Sequence, residues 1–382
     1  DANHAHAINN RGHVLQELDQ LTEAEASFLE AIRLQPIYAD AYINLGLTQQ
    51  MQNRLGEAIQ TLKSGLKVEP NNPNLHWNLS LALLQNGDFE EGWREYEWRW
   101  KMPTFVSFKR DFKEPLWTGE SLEGRTILVH TEQGFGDNIQ FCRYIPMVAE
   151  CGGKVVVECR PELKKLFREL SGVDTTISLG ASLPNFDIQL PLMSLPYVFR
   201  TNLQNLPAEV PYLKAPNGCI GNPQIEAAQG FKVGLAWAGS PTRVDNHRRS
   251  LEFSKLGPIF EVDGAEFFSL QVGDAREELS SYGQNSVIDV AAGLRDFSDT
   301  AAVIEQLDLV ISVDTSVLHL AGALGRPAWG ILSKPTGFLW MNERTDSPWY
   351  PTIRLFRQSE PSDWGTVIQE IRAALIEKCL LT

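Results

Sequence analysis

The sequence predicts an array of paired α-helices followed by two parallel α/β domains of the Rossmann type. A repeat of 34 residues near the start of the chain indicates the helix pairs, and a later alternation of short apolar runs with helical segments indicates the sheets. A stretch rich in Pro, Gly and Asn at 215–230 divides that alternation into two halves. With 382 residues the chain is too long for a single core and suits two or three domains.

Four sets of residues recur along the chain at the spacing of 34 residues. They are Gly12, Gly46 and Ser80; Ala24, Ala58 and Gly92; Phe28, Leu62 and Tyr96; and Pro36 with Pro70. Small residues let the two helices of a pair approach closely, the bulky residue fills the groove to the next pair, and proline ends the second helix. This pattern is typical of tetratricopeptide repeats (TPR), and we predict about three of them over 1–103.

An aromatic cluster and a linker follow the repeats. Trp93, Tyr96, Trp98 and Trp100 depart from the repeat pattern, and we interpret them as a capping helix that buries the end of the array against the next domain. Residues 104–124 are rich in Pro, Lys and aromatic side chains and have neither a helix nor a strand period, which predicts an ordered linker.

Short apolar runs after the linker predict β-strands separated by helices. These runs are Thr126–His130, Lys154–Cys159, Asp187–Leu190, Lys232–Trp237, Glu266–Gln271, Leu309–Val313 and Ala328–Leu332. Such an alternation indicates parallel sheets wound by βαβ crossovers. We expect one domain over 125–217 and a second over 218–360, followed in 361–382 by an amphipathic helix that returns toward the first.

Composition excludes several classes of function. The formal net charge of −14 would repel a phosphate backbone, so nucleic acid is not an expected partner. The sequence has no run of about 18 apolar residues that could form a transmembrane segment and no signal peptide, so we expect a cytoplasmic protein. Its 5 cysteines are scattered and form no Cys-x-x-Cys pair, which indicates reduced thiols rather than disulfides or a zinc site.

The strongest motif follows the strand Leu309–Val313. Asp314, Thr315 and Ser316 come next and open a helix that carries His319 on the same face. In a parallel sheet they fall at the carboxyl edge, where backbone N–H groups and the helix dipole favour an anion such as a diphosphate. The alternative is that Thr315 only caps the helix and that His319 is an ordinary core histidine.

A second motif, Gln133, Gly134, Gly136 and Asp137, follows the first strand of the first half. Its two glycines allow a tight turn close to a ligand, and Asp137 begins a helix. The spacing differs from the dinucleotide fingerprint Gly-x-Gly-x-x-Gly. Asp137 could act as the general base that takes a proton from an acceptor hydroxyl or amide, or it could be only an N-cap.

A third motif is the loop after the first strand of the second half, which contains Gly239, Ser240, His247, Arg248 and Arg249. Basic side chains at the carboxyl end of a strand can neutralise a departing diphosphate, and arginine offers a planar fork to two phosphate oxygens. The alternative is a solvated basic loop.

A fourth segment, Phe297, Ser298, Asp299 and Thr300, opens another helix. It could hold the base or the ribose of a nucleotide, or it could only cap its helix.

Motifs for metal-dependent chemistry are missing from the sequence. It has no Asp-x-Asp or His-Glu-x-x-His motif, and it has no Walker loop or nucleophile elbow. We therefore expect no metal and no cofactor, with arginine side chains and helix N-termini stabilising the charge.

These motifs together resemble the heptosyltransferase-like glycosyltransferases of family 9, and nearly the full chain resembles bacterial fusions of TPR repeats with such enzymes. The matching segments are Val313–Pro327, Gly136–Asp137, the junction Gly92–Trp100, Glu132–Asp137, Ser269–Gln271, Asp296–Ala301 and Ser347–Pro351. Heptosyltransferases carry a lysine in the loop where this chain has His247, Arg248 and Arg249.

The resemblance implies an inverting enzyme of the GT-B fold, in which two Rossmann-like domains hold the acceptor and the donor. It implies that Asp137 is the base and that Gln133, Gly134 and Gly136 turn the backbone near the acceptor. The positions expected to bind the donor are Gly239, Ser240, His247, Arg248, Arg249, Gln271, Phe297, Ser298, Asp299, Thr300, Asp314, Thr315, Ser316 and His319.

The leading hypothesis is transfer of a sugar from a nucleotide-diphosphate sugar to a protein, peptide or glycan that the TPR groove selects. One alternative is a non-catalytic TPR scaffold whose GT-B part senses a nucleotide sugar. Another is a different GT-B activity such as a nucleotide-sugar epimerase, which would require additional carboxylates in the cleft.

Overall fold

The computed structural model describes residues 2–108, 110–219, 221–243, 246–281 and 287–381, and the chain forms two compact units. The helical unit comprises Asp1–Asp111, Pro196–Leu206 and Pro335–Arg344. The sheet unit comprises Phe112–Leu195, Pro207–Lys334 and Thr345–Thr382. Among the described residues, no helix has both the length and the apolar character needed to cross a bilayer.

The helical unit is built from consecutive helix pairs. The helices are α1 (Ala2–Glu17), α2 (Leu21–Leu34), α3 (Ala39–Met51), α4 (Leu55–Val68), α5 (Pro73–Asn86) and α6 (Phe89–Tyr96). A Cβ added to Gly12 would lie 2.7 Å from Cε1 of Phe28, and one added to Gly46 would lie 2.7 Å from Cγ of Leu62. The small and bulky positions of the repeat are therefore packing partners, which confirms the predicted repeats.

The segment Pro335–Arg344 belongs to the helical unit although it comes late in the chain. Phe338 places its ring centroid 6.0 Å from that of Trp93 and 6.1 Å from that of Tyr96. The Gln85 side chain donates to the carbonyl of Thr336 at 3.2 Å, so polar contacts join the apolar ones here. The segment 335–344 thus covers the aromatic end of the array within this unit, although the sequence assigns it to the second Rossmann-like domain.

The first half of the sheet unit contains a parallel sheet in the order β3-β2-β1-β4. Its strands are β1 (Thr126–His130), β2 (Lys154–Cys159), β3 (Thr175–Ser178) and β4 (Ile188–Pro191), and its helices are α7 (Phe135–Phe141), α8 (Ile145–Glu150) and α9 (Lys164–Arg168). The short helix α10 (Leu195–Val198) begins at the last residue of this segment, and its other residues belong to the helical unit. Trp117, from the predicted linker, is buried against this sheet, and its backbone N–H donates to the Gln189 carbonyl at 2.9 Å.

The second half contains a parallel sheet in the order β10-β9-β8-β5-β6-β7. Its strands are β5 (Phe231–Ala236), β6 (Ala265–Ser269), β7 (Val287–Asp289), β8 (Leu309–Val313), β9 (Ala328–Leu332) and β10 (Ile353–Arg357). The helices are α11 (Pro223–Ala227), α12 (Asn246–Arg249), α13 (Glu278–Ser281), α14 (Phe297–Glu305), α15 (Ser316–Ala323) and α16 (Trp364–Cys379). The strand order reverses between β5 and β8, and ligands of such sheets bind outside the carboxyl ends of the strands at that point.

The predicted course of the last helix is wrong. The apolar face of α16, which includes Val367, Ile371 and Leu375, lies in one core cluster with Val233 of β5 and Phe253. The helix therefore packs on the second sheet and does not return to the first half, because this sheet offers the apolar surface that the helix face requires.

Three strands of the two sheets are absent from the sequence prediction. Three of the four residues of β3 are polar, and β7 has only three residues, so neither produces an apolar run. β10 contains the exposed Arg354 among mostly buried residues. Strand pairing along the sheet, rather than the local pattern, establishes these edge strands.

Candidate active site

The starts of α7 and α15 meet at the carboxyl edges of the two sheets. A Cβ added to Gly136 would lie 2.9 Å from Cδ2 of His319 and 3.7 Å from Cα of Ser316. The absence of a side chain at Gly136 is therefore what allows this approach. The contact brings together the two motifs that the sequence singles out most strongly, one from each half of the sheet unit.

Asp137 lies at this junction and is partly accessible to solvent. Its Oδ2 accepts the N–H of Gly134 at 3.1 Å, and Gln133 turns the chain with a φ of 60°. Burial raises the pKa of the Asp137 carboxyl, while the neighbouring His319 and the Gly134 N–H act in the opposite direction. A carboxylate with a raised pKa binds a proton more tightly than an ordinary aspartate, which suits a general base.

Asp314, at the end of β8, is paired with a residue of the basic loop. The Arg249 guanidinium meets Oδ2 of Asp314 at 2.9 Å and also donates to the Asp314 carbonyl. Nε2 of His319 lies 3.7 Å from Oδ1 of the same carboxylate. Arg249 and Asp314 thus join the loop after β5 to the helix start after β8.

The start of α15 is not capped by the residue that precedes it. The Ser312 hydroxyl donates its single hydrogen to the Val313 carbonyl at 2.7 Å. In its contact with Thr315 at 3.0 Å, Ser312 Oγ is therefore the acceptor and the Thr315 hydroxyl is the donor. Within the described part of the chain Thr315 makes no side-chain bond to the first turn of α15. The first N–H groups of a helix have no partner inside the helix, so this end suits an anion.

His319 is nearly enclosed, as the core-histidine alternative expects, with only 4% of its surface exposed. Its Nδ1 lies 3.0 Å from the hydroxyl of Tyr350, and its opposite edge is turned to Gly136 and Asp314.

The loop after β5 runs beside the start of α15. The Gly239 N–H donates to the Ser250 hydroxyl at 3.0 Å, and a Cβ on Gly239 would lie 2.7 Å from Oδ1 of Asn246. The same Cβ would lie 3.9 Å from Cγ2 of Thr315. The Ser240 hydroxyl meets the Thr242 hydroxyl at 2.8 Å on the exposed turn.

The basic side chains of this loop occupy different environments. Arg249 is held by Asp314, whereas His247 is exposed and Arg248 is partly exposed on the single turn α12. Arg243 is also exposed, and its positive charge favours the ionised form of Asp137. Val244 and Asp245 lie outside the described residues.

Gln271 supports the loop through its side chain. Its Oε1 accepts the N–H groups of Trp237 and Ala238 at 3.0 and 2.9 Å, and its Nε2 donates to the carbonyls of Ala238 and Val272 at 3.1 and 2.9 Å. These bonds use the two acceptor and two donor positions of the amide. Gln271 therefore shapes the backbone beside the site with a fully committed side chain.

The start of α14 is a capped helix end. Oδ1 of Asp296 accepts the N–H groups of Ser298 and Asp299 at 2.9 and 3.2 Å, and the Thr300 hydroxyl donates to the Asp296 carbonyl at 3.2 Å. The Asp299 carboxylate accepts the Nε–H of Arg295 at 2.9 Å. The capping alternative accounts for these contacts.

Phe297 and Lys165 link α14 to the first half. The Phe297 ring centroid lies 4.9 Å from that of Phe135 on α7, and Nζ of Lys165 lies 2.6 Å from Oδ2 of Asp296. The Phe297 side chain thus adds an apolar contact next to Asp137.

The sequence does not single out the side chains behind His319. Arg143, Tyr212 and Tyr350 form a buried group there. The only hint is the match at Ser347–Pro351, which assigns no role to Tyr350. In the parts of the chain that are described, no group of three or more His, Cys, Asp or Glu residues could hold a metal ion.

Comparisons with known proteins agree with this architecture. Residues 274–336 match the family glycosyltransferase family 9 (heptosyltransferase), and three tetratricopeptide repeat models match residues 5–38, 27–60 and 51–87. Protein FlbA of Caulobacter vibrioides is 25% identical over 411 residues, an alignment that covers 96% of this chain and 66% of that protein, slightly less than two thirds of its length.

Two solved glycosyltransferase structures are similar to this chain. A family 9 glycosyltransferase from Veillonella parvula superposes with a TM-score of 0.50 at 11% identity, over 69% of this chain and 99% of that one. ADP-heptose LPS heptosyltransferase II of E. coli gives a TM-score of 0.47 at 13% identity, over 66% of this chain and 99% of that one. The chain therefore contains segments that match tetratricopeptide repeats and a segment that matches glycosyltransferase family 9.

Proposed function

We propose that this chain is an inverting, metal-independent glycosyltransferase that uses a nucleotide-diphosphate sugar. One observation supports the proposal: Gly136 packs on His319 and Ser316, and the charges of His319 and Asp314 act on the carboxylate of the next residue, Asp137. A candidate proton acceptor and a helix start suited to an anion are therefore neighbours from opposite halves of the sheet unit.

The proposed reaction is a single displacement at the anomeric carbon. Asp137 takes the proton from a hydroxyl or amide of the acceptor while the acceptor atom forms a bond to that carbon. The bond between the carbon and the diphosphate oxygen breaks, and a nucleoside diphosphate leaves. Attack opposite the leaving group inverts the configuration, and one base is sufficient for it.

The leaving diphosphate is stabilised, in this proposal, by the N–H groups at the start of α15 and by Arg243 and Arg248. Preorganised donors of this kind act where charge develops, and they stand in for a metal ion. Arg249 is paired with Asp314. It holds the loop after β5 against the helix start.

Nucleotide binding can be tested by thermal denaturation of the full chain with UDP, GDP, ADP, CDP and CMP. A ligand that binds only the folded protein stabilises it by about 2.7 kcal/mol at a concentration of 100 times Kd. We expect one of the diphosphates to raise the melting temperature. If none of the five nucleotides raises it, the proposed donor class is wrong.

The acceptor is proposed to be a protein, peptide or glycan that the helical unit selects. TPR arrays present a continuous surface formed by adjacent helix pairs, which suits an extended partner. The test compares transfer to a protein acceptor with slow hydrolysis of the donor in variants altered on the surface of α1 and α3. Selection by the helical unit predicts a loss of transfer with unchanged hydrolysis, and a parallel loss of both would exclude it.

A further inference from the structure

Arg143 follows α7 in the first half of the sheet unit, and the proposed reaction assigns no role to it. Its side chain is buried, with only 3% of its surface exposed. The guanidinium donates to the carbonyls of Gln140, Pro207 and Trp349, to the amide oxygen of Gln140 and to the hydroxyl of Tyr212, at 2.7 to 3.2 Å. These bonds use every N–H group that an arginine side chain has.

The positive charge of Arg143 is surrounded by neutral groups. None of the acceptors is a carboxylate. The guanidinium carbon lies 4.5, 5.5 and 4.6 Å from the ring centroids of Tyr212, Trp349 and Tyr350. Because the planar fork of an arginine fixes the directions of its hydrogen bonds, the chain segments that supply the acceptors are held in one arrangement.

The acceptors of Arg143 come from both halves of the sheet unit. Gln140 lies on α7 in the first half, whereas Trp349 lies just before β10 in the second half. Tyr212 lies between the two sheets, and its backbone N–H donates at 3.0 Å to the carbonyl of Ala323, the last residue of α15. Arg143 therefore connects the end of α7 with the end of α15.

Two tyrosines complete this connection. The Tyr212 hydroxyl, which accepts from Arg143, donates to the Ile139 carbonyl of α7 at 3.0 Å. The Tyr350 ring lies against α15, where a Cβ added to Gly322 would be 2.4 Å from its Cδ1. We call Arg143, Tyr212 and Tyr350 the clamp.

The same two helices meet again at their starts, in the candidate active site. There a Cβ added to Gly136 would lie 2.9 Å from Cδ2 of His319, and Asp137 is the next residue. With its seven residues, α7 is only about 10 Å long, so a tilt of about 6° at the clamped end moves its start by about 1 Å. A displacement of about 1 Å can cost about 10²-fold in rate.

We propose that Arg143 is a positioning residue for the transfer reaction. By holding the end of α7 against the end of α15, the clamp sets the distance between Asp137 and the start of α15. Arg143 itself contacts neither substrate in this account. The inference rests on the proposed function, but the position of α7 can be measured separately from activity.

A nuclear Overhauser effect between Gly136 and His319 reports the position of α7. In a deuterated chain with protonated glycine and histidine, we expect this signal between Hα of Gly136 and Hδ2 of His319. Its loss in Gly136→Ala and in His319→Gln identifies it. Arg143→Met removes every N–H donor of the side chain, so the signal should disappear. Persistence of the signal in a folded Arg143→Met chain would overturn the proposal.

Arg372→Met is the matched control. Arg372 also donates to a proline carbonyl, that of Pro258 at 3.1 Å, but both residues lie in the second half. The signal should therefore remain, and its loss in this variant too would show a general effect of destabilisation and overturn the proposal. If Arg143→Met does not fold, Tyr212→Phe replaces it. This variant keeps the ring but removes the bonds to Arg143 and Ile139, so an unchanged signal would overturn the proposal.

Steady-state kinetics test the consequence for transfer. We expect Arg143→Met to lower kcat by about 10- to 100-fold, since Asp137 is misplaced. The KM for the donor and the rise in melting temperature with nucleoside diphosphate should be unchanged, because the proposed donor site lies in the second half. A loss confined to KM would overturn the positioning role. Absence of transfer in the wild-type chain would instead refute the proposed function, and the Overhauser signal would still show whether Arg143 holds α7 in place.

Discussion

In both units a glycine allows a bulky side chain to pack closely, but the consequence differs. In the helical unit, Gly46 makes room for the buried Leu62 of the same repeat. In the sheet unit, Gly136 makes room for His319, which comes from the other half and belongs to the candidate active site. The comparison teaches that the same steric requirement supports stability in one unit and the assembly of a site in the other.

The largest expected effect separates chemistry from stability within the sheet unit. Asp137→Asn removes the proposed base, so transfer should fall by about 10²- to 10⁴-fold, the usual contribution of general base catalysis, while nucleotide binding is retained. Asp363→Asn is the control, because Asp363 also accepts a backbone N–H, from Thr366, at a helix start. Equal activity of the two variants would remove Asp137 from the mechanism.

The same substitution should make the folded protein more stable at neutral pH. Burial raises the pKa of Asp137, so the folded state binds the proton more tightly than the unfolded chain does. Stability is therefore lost as pH rises from about 3.9, the ordinary value, through the raised pKa, and the ionised carboxylate costs stability above it. We expect Asp137→Asn to raise the melting temperature at pH 7 and to have little effect at pH 3. A lower melting temperature at pH 7 would contradict this assignment.

The next effect tests the glycine of the site. Gly136→Ala places a Cβ 2.9 Å from Cδ2 of His319, so α7 and α15 must move apart. A displacement of about 1 Å at a catalytic constellation can cost about 10²-fold in rate, and we expect a loss of transfer of this order. Gly56→Ala is the control, since no atom lies within 4 Å of its added Cβ, and its activity should be unchanged. Full activity of Gly136→Ala would show that the contact is dispensable.

Gly46 and Gly136 also show what the sequence could and could not predict. Gly46 and Leu62 belong to one repeat, so a comparison at a single spacing finds both. Gly136 and His319 are far apart in the chain, and the sequence identifies each motif only through its position after a strand. Ligands of parallel sheets bind at the carboxyl ends of the strands. This rule was sufficient to predict that Asp137 and the start of α15 lie close together, because each follows a strand at such an edge.

The sequence could not show contacts between distant segments. Gln271 follows a strand and is expected to bind the donor, and only the structure shows that its amide is hydrogen-bonded to the backbone of the neighbouring loop. Tyr350 and Arg143 gain their importance from each other and from His319, and a sequence pattern contains no trace of that. The course of α16 was missed for the same reason, since an amphipathic face does not specify which sheet it covers.

A smaller effect is expected in the helical unit. Gly46→Ala gains helix propensity of about 0.8 to 1 kcal/mol, as Gly56→Ala does, but its Cβ lies 2.7 Å from Cγ of Leu62. Overpacking costs about 1–3 kcal/mol, so the free energy of unfolding of Gly46→Ala should be lower than that of Gly56→Ala by this amount. Donor hydrolysis should be the same in both. Equal stability would mean that the helix pair adjusts its spacing without cost.

The smallest effect is expected from the ion pairs on the surface of the same unit. Nε of Arg33 lies 2.7 Å from Oε2 of Glu30, but the two side chains are 68% and 40% exposed. Solvent screens such a pair, and holding two long side chains in one geometry costs entropy, so its net contribution is small. Arg33→Gln should leave the melting temperature unchanged at both low and high salt. A salt-dependent decrease would instead show that surface charge, and not the packing of small against bulky residues, determines the stability of the repeats.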